Sequence, residues 1–566
     1  MDKTKLRSPQ SKSALPWPTK LPEWATLLML LVLAFVIRGT VLWNTAVPAR
    51  DGLAYIHYAF RLEREPVPQV LRESYHHPGY PFSILAVSWP IRAWTDLTGS
   101  RMTQLSAQLA SSLAGWLLVI PMFYLGKRIY NVHVGFWGAL LFQCLPSSGP
   151  ALSDAISEPL FLLFVCSGLL FACESIQKFS LWCFGLCGLF VGLAYLVRPE
   201  GLVVLVACGL VLVARQCLPS TRTTWRRFVV GTTALVAPCV CVAAPYAWTI
   251  GGITNKPSVR QMTNTTQTAQ ADEKTPDGHL PLFAVHIRTD TSPGKRILNA
   301  IKAFALEFAH GYQYFGWIFV LLGVGWYSHR LGKVPGAWVL VVLMALQTTL
   351  VFWLLMKIGY VSQRHILILV ICTVFQAVAV MLALPGRLLA WIHSKENSRT
   401  QKEANVFSML LPTYSYLGVA LVVLSMVLGL TRTLRPLHAN CRGHYFAGKW
   451  LAAHTTSTDI VLDDHGWARF YAERKFIRGY VHQLPPECQG NAWCSTQQPH
   501  SSDQSVQQVG LRHFVVYNRA SSRRRTSHYA TYDEPTLLRR DAKAVFSWPT
   551  DLDIENAEVV IYQLAR

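Results

Sequence analysis

The stretch Arg50-Asp51-Gly52-Leu53-Ala54-Tyr55 stands just past the first apolar run of this 566-residue chain. A carboxylate at the mouth of a membrane helix is costly to hold near hydrocarbon, so its presence calls for a partner or a task. Twenty-odd residues on, His76-His77-Pro78-Gly79-Tyr80-Pro81 makes a second polar and aromatic turn beside an apolar run. Three more such places follow: Ser153-Asp154-Ala155-Ile156-Ser157-Glu158-Pro159, Arg198-Pro199-Glu200-Gly201, and Lys357-Ile358-Gly359-Tyr360-Val361-Ser362-Gln363-Arg364-His365. The acids can take a proton from a hydroxyl, and the cations can face an anionic group.

The elements that must position these residues are apolar. Hydrophobic residues make up 51% of the chain, charged residues only 15%, and the mean hydropathy is positive. That composition belongs to a polytopic membrane protein. Eleven runs can span: 24–43, 103–126, 134–152, 158–175, 180–197, 199–215, 228–250, 312–328, 335–356, 362–384 and 406–430. The first lacks a small-residue cleavage site on its far side and reads as a retained anchor. A twelfth candidate, 80–94, has the length of an interfacial helix and carries Pro90 and Arg92.

Charge decides between eleven and twelve. With 80–94 not spanning, the tail cations Lys3, Lys5, Arg7, Lys12 and Lys20 share one side with the later basic loops, those of Lys127-Arg128, Lys178, 215–227, Arg330 with Lys333, and 387–402. With it spanning, all of those later loops change sides, against the positive-inside rule. The expected layout is therefore a cytoplasmic basic tail 1–23 and a transmembrane domain 24–430. Residues 44–102 form an outer loop with 80–94 as a juxtamembrane helix, and 251–311 is a second outer loop. The five chemistry-bearing segments then fall on one outer face.

Within the second outer loop, 293–308 reads as an amphipathic helix. After Leu430 the chain turns polar. Ile460-Val461-Leu462, Phe514-Val515-Val516-Tyr517 and Val559-Val560-Ile561-Tyr562 read as short buried strands, with a helix over 448–454 before the first. A small extracytoplasmic α/β domain is expected over 431–566. The fold class is thus a polytopic α-helical membrane protein with a C-terminal α/β domain.

The net charge of +21 invites a nucleic-acid reading, but the cations lie mostly in loops between spans, and only Arg523-Arg524-Arg525 forms a cluster. No nucleic-acid partner is expected. The thirteen cysteines have no zinc-type spacing; Cys441, Cys488 and Cys494 have the setting for one disulfide if their segment is extracytoplasmic. Asn264-Thr265-Thr266 matches a glycosylation sequon.

Taken in order, these motifs resemble the GT-C glycosyltransferases, specifically the family-39-like group of protein O-mannosyltransferases and lipid A aminoarabinose transferases. The resemblance runs from about 24 to 384. Asp51 matches the acid after the first span, and His77-Pro78-Gly79-Tyr80-Pro81 the turn that opens a juxtamembrane helix. Ser157-Glu158-Pro159-Leu160 matches a Ser-Glu pair opening a later span. Arg198 to Gly201 matches an Arg-Pro-Glu-Gly turn, and Val361 to His365 a Ser-x-Arg-Tyr stretch with histidine for tyrosine. Two positions depart from the pattern: Gly52 follows Asp51 where many relatives have a second acid, and Gln108 stands where they often have arginine.

The resemblance implies a membrane enzyme that moves a sugar from a polyprenyl-phosphate donor at the outer leaflet to an acceptor hydroxyl on lipid, glycan or protein, with inversion. Asp51 would be the general base. Arg198, Lys357 and Arg364 would face the donor phosphate. Tyr55, His76, His77, Tyr80, Asp154, Glu158, Glu200 and His365 would line the substrate site. No resident metal is expected from the spacing, although Asp51 with Asp154 or Glu158 has the ligand chemistry to share one divalent ion. The expected location is a bacterial inner membrane, with a cytoplasmic amino terminus and a periplasmic C-terminal domain.

Blander readings stand beside these. Asp51 can be a helix N-cap, Glu158 an acid at a positive helix end, and Arg198 a snorkelling arginine. The histidine pair can be a plain structural turn. A transporter or lipid flippase is the alternative from another class, but the chain shows no two-half similarity, and its acids gather at one surface rather than at the midplane.

Overall fold

The computed structural model describes residues 21–218, 223–256, 284–287, 292–394, 401–456, 459–463, 466–473, 513–518, 543–549 and 557–563. Cys488, Cys494, Asn264 and Arg523 to Arg525 lie outside them, as do the basic tail 1–20 and 257–283 of the second outer loop. Cys441 is a buried free thiol.

Eleven helices lead to the second outer loop. These are α1 (Glu23–Asn44), α2 (Arg50–Arg64), α3 (Val67–Glu73), α4 (Gly79–Trp94), α5 (Gly99–Leu117), α6 (Val119–Ile129), α7 (Val132–Cys144), α8 (Glu158–Lys178), α9 (Leu181–Val197), α10 (Leu202–Cys217) and α11 (Trp225–Ile250). After it come the helices Pro293–Gly311, Gly316–Lys333, Ala337–Ile358, Gln363–Ser394 and Gln401–Thr433. Among the described residues, eight helical stretches are long and apolar enough to cross a membrane, and three shorter apolar helices lie at 132–144, 181–197 and 316–327. Each of the eleven runs read from the sequence holds one of these. The helix Gly79–Trp94, read from the sequence as juxtamembrane, and the helix Pro293–Gly311, read as amphipathic, are not among them. Exposed tryptophans mark both ends of α1 (Trp24, Trp43) and of α11 (Trp225, Trp248), as in the aromatic belts of membrane proteins.

Local sequence explains where helices stop. The run 134–152 is not one helix: α7 ends at Cys144 because Leu145 precedes Pro146 and is driven to extended backbone, φ −65° and ψ 138°. The chain then crosses 145–157 as a turn before α8. The 31-residue apolar stretch Gly99–Ile129 breaks at Leu118, since Pro121 has no N–H to donate to the carbonyl of Leu117. The helix α2 is short and two-faced: Tyr55, Ile56, Ala59 and Leu62 are buried at helical spacing, while Glu63 and Arg64 face outward.

Two small sheets complete the described chain. In one, β1 (Ala284–His286) pairs antiparallel with β2 (Tyr360–Ser362), tying the second outer loop to the segment before Arg364. The other has the order β3-β4-β6-β5, from Ile460–Asp463, His513–Asn518, Val559–Gln563 and Lys543–Trp548. There β3 and β4 are parallel and the remaining pairs antiparallel. The helix Arg442–His454 buries Ala447 and Leu451 against Val461, Phe514, Val516, Val559 and Ile561. Three of these strands were legible as apolar runs; Lys543–Trp548, with its lysine and serine, was not.

Candidate active site

Three helix ends, those of α8, α9 and Gln363–Ser394, meet the first turn of α2, and each residue there is placed for a local reason. Asp51 sits in the first turn of α2, where an acid meets the positive end of the helix. It is not the N-cap; that position is Ala49. Glu158 is the first residue of α8. Arg198 is extended (φ −153°) because Pro199 follows it, so the chain breaks between α9 and the short 3-10 turn Pro199–Gly201 that carries Glu200. Arg364 is the second residue of Gln363–Ser394 and follows a reversal at Gly359, whose φ of +83° suits glycine.

Together they form a row of alternating charge. Lys256 Nζ lies 2.7 Å from Glu200 Oε1, and Arg198 Nε lies 3.6 Å from Glu200 Oε2. Arg198 Nη1 is 2.6 Å from Glu158 Oε1, which also faces Arg364 Nη1 at 3.8 Å. Arg364 Nη1 donates to Asp51 Oδ2 at 2.5 Å. The row has a floor and a rim. The side chains of Glu158 and Arg198 are 5% and 16% exposed, those of Asp51 and Arg364 53% and 38%. A bound anion can therefore reach Arg364 without opening the protein.

Burial disfavours the Asp51 carboxylate, but the charge and hydrogen bond of Arg364 outweigh it, with help from His76 and Arg50; its pKa falls below the ordinary 3.8. An aromatic wall stands beside it. The His76 ring lies between Tyr55 and Tyr75, with centroids at 4.3 and 4.2 Å, and burial pushes its pKa down to about 4, so it is neutral at pH 7. The Tyr55 hydroxyl is 3.0 Å from Ser157 Oγ, and its ring meets Tyr80 edge-on. Tyr80 donates to the Ala107 carbonyl at 2.8 Å, below the wall.

Other sequence candidates are placed differently. His77 is a structural tie: its ring nitrogens meet Tyr195 O at 2.7 Å and Thr254 Oγ1 at 2.9 Å, and burial brings its pKa to about 4. His365 Nδ1 accepts from the Ser362 N–H at 3.1 Å, closing the turn before its helix. Asp154 pairs not with substrate-facing groups but with His438, at 2.7 Å. Lys357 stands apart: it is exposed on the last turn of Ala337–Ile358, and among the described residues no ion pair joins it to the row. It lies two residues past buried Leu355, about 200° round the helix, which turns it away from the protein. Of the acids considered as metal ligands, Asp51 and Glu158 face arginine and Asp154 faces His438. Among the described residues no group of three or more His, Cys, Asp or Glu could hold a metal.

The sequence reading missed Lys256, His438 and Arg38. Lys256 was visible only as the first cation after a span. Arg38, buried within α1, donates to the carbonyls of Gly149 and Gln143 and to Ser153 Oγ, bracing the turn 145–157. Its signal was an arginine inside an apolar run.

Residues 76–248 match the family model described as dolichyl-phosphate-mannose-protein mannosyltransferase, about a third of the chain. No curated protein matches in sequence. Among solved structures, ArnT from Cupriavidus metallidurans bound to undecaprenyl phosphate superposes with a TM-score of 0.57 at 13% identity, covering 95% of this chain and 97% of that one. The Archaeoglobus fulgidus oligosaccharyltransferase in its apo form gives 0.50 at 12% identity, over 89% and 70%. The archaeal oligosaccharyltransferase AglB from the same organism, in complex with an inhibitory peptide and a dolichol-phosphate, gives 0.50 at 11%, over 82% and 65%. The chain has the fold of these proteins, that of the GT-C glycosyltransferases.

Proposed function

We propose that this integral membrane protein is a glycosyltransferase that moves a sugar from a polyprenyl-phosphate donor to an acceptor hydroxyl, with inversion. The observation that carries the reading is the rim pair Asp51–Arg364, an ionised base and a cation on one accessible edge, in a fold shared with proteins solved with undecaprenyl phosphate and with a dolichol-phosphate. Asp51 takes the acceptor hydroxyl's proton as the oxygen attacks the anomeric carbon. The bond from that carbon to the phosphate oxygen breaks on the opposite face, and polyprenyl phosphate leaves. Arg364, backed by Arg198, meets the charge that develops on it.

The donor also changes the base. Before it binds, Asp51 shares Arg364 with Glu158. A phosphate that takes the guanidinium removes the main counter-charge of Asp51 and raises its basicity at the moment of attack. His76, with Tyr55 and Tyr75 on either side of its ring, forms the side of the site against which a sugar ring can pack, and Tyr80 supports that wall from beneath. The site faces away from the cytoplasm in this reading. A cysteine placed at Ser292 should react with an impermeant reagent in intact cells, and one at Ser220 should not.

The test is sugar release from a panel of polyprenyl-phosphate sugars in proteoliposomes, comparing wild type with Asp51→Asn. A positioned base contributes roughly 10²–10⁴-fold, so turnover should fall by about that much. Turnover that survives Asp51→Asn would remove Asp51 as base. No turnover with any donor and any of the lipid, glycan and peptide acceptors would overturn the activity itself.

A further inference from the structure

The backbone leading into α2 is held by the part of the chain that follows the last membrane helix. Asp154 Oδ1 accepts the N–H of Ala49 at 2.8 Å, two residues before Asp51, and also the N–H of Ala155 at 2.8 Å. Its other oxygen accepts from His438 Nε2 at 2.7 Å. His438 adopts left-handed backbone (φ 51°) just past Gln401–Thr433. Next to it, Trp467 Nε1 donates to the carbonyl of Pro48 at 2.9 Å. Tyr471 donates to Gln104 at 2.7 Å, and Glu473 accepts from the N–H of Ser100 at 2.8 Å. The first turn of α2 has no slack on its other side, because a Cβ at Gly52 would stand 2.6 Å from the carbonyl oxygen of Ala155.

The Asp154 carboxylate is thus committed on both oxygens, and the group that orients it comes from 284 residues away. Without His438, one oxygen loses its partner, and only the Ala49 and Ala155 amides on the other oxygen still orient the carboxylate. Asp51 projects from the turn that Ala49 caps, and its pairing with Arg364 is made at the open rim, where little else fixes it. We infer that His438 is a positioning residue for Asp51, acting through Asp154 and the Ala49 amide, and that the C-terminal segment around Trp467 completes the catalytic loop. This rests on the reading of Asp51 as base, and it assigns the C-terminal segment a part in the reaction.

Two variants test it in the full-length protein. His438→Ala removes the donor to Asp154; His438→Gln keeps a side-chain N–H able to replace it. With sugar transfer as readout, His438→Ala should lower kcat about ten- to a hundredfold, the scale of a small misplacement of a reacting group. Its affinity for polyprenyl phosphate should stay within about twofold, and His438→Gln should regain most of the rate. Amide exchange gives a readout independent of turnover: protection over 49–55 should fall in His438→Ala and return in His438→Gln. Trp467→Phe, which removes the bond to Pro48, should loosen the same segment if His438→Ala does not fold. Unchanged exchange over 49–55 in these variants would overturn the inference whatever the donor proves to be. Changed exchange with unchanged kcat would overturn the positioning role while leaving the contact. If Asp51→Asn retains full turnover, the base reading fails, and the exchange result stands by itself.

Discussion

The two ends of the helical bundle both carry ion pairs, but of different kinds. At the end away from Asp51, Lys127 meets Glu23, and Arg128 and Lys178 meet Glu174, with side chains 18% to 60% exposed. Such pairs contribute little to stability, about 0–1 kcal/mol each. At the Asp51 end, Arg198 and Glu158 are largely buried and joined in a row that reaches Lys256 on one side and Asp51 on the other. Burying those charges costs several kcal/mol per ion before pairing returns any of it. A fold in need of stability alone would fill that space with apolar side chains. The contrast separates the two ends, and under the proposed function the Asp51 end is the one that carries the chemistry.

The comparison can be broken most directly at its buried member. Glu158→Gln leaves Arg198 with Glu200 alone; it should cost about 3 kcal/mol in denaturation in detergent, the low end for breaking a buried pair, and abolish transfer. A loss below about 1 kcal/mol would make the two ends alike. Next, if Asp51 and donor phosphate compete for Arg364, Asp51→Asn should tighten binding of polyprenyl phosphate about tenfold, a step of 1.4 kcal/mol, while turnover collapses. The gain should vanish in an Arg364→Gln background; a gain that persists there would reflect only the loss of one negative charge.

The third prediction concerns pH. Asp51 has a lowered pKa in the free protein, so the carboxylate is the form present above the ordinary 3.8, and its stabilising pairing is lost only as pH falls through the lowered value. The acid limb of kcat/KM should lie below the usual carboxylate range in wild type and move up in Arg364→Gln, where burial acts unopposed by that cation. A limb that stays in place would separate Asp51 from Arg364. The smallest effect is expected at the other end, where Glu174→Gln should change stability by less than about 1 kcal/mol and leave turnover as it was.

The spans were legible because apolar runs of membrane length need no partner to be recognised. The helix ends were less so: Pro146 ended α7 near 144, whereas hydropathy alone carried the run to 152. Of the site residues, Asp51, Glu158, Arg198, Glu200 and Arg364 were singled out by type and by sitting beside apolar runs, and the structure draws all five into one row. Lys357 satisfied the same rule and fell outside, because hydropathy does not say which way a residue points on the last turn of a helix.

The order of apolar runs and the residue types at the charged turns are properties of the sequence, since hydrophobic length and charge are carried by each segment alone. The pairings were decided only by the tertiary structure. Asp51 with Arg364, and Asp154 with His438, join residues 313 and 284 positions apart. No local rule brings such groups together; packing of the helices does. That packing also separated what looked equivalent in the sequence: of two acids near the bilayer surface, Asp51 is left at an open rim and Asp154 is closed behind it.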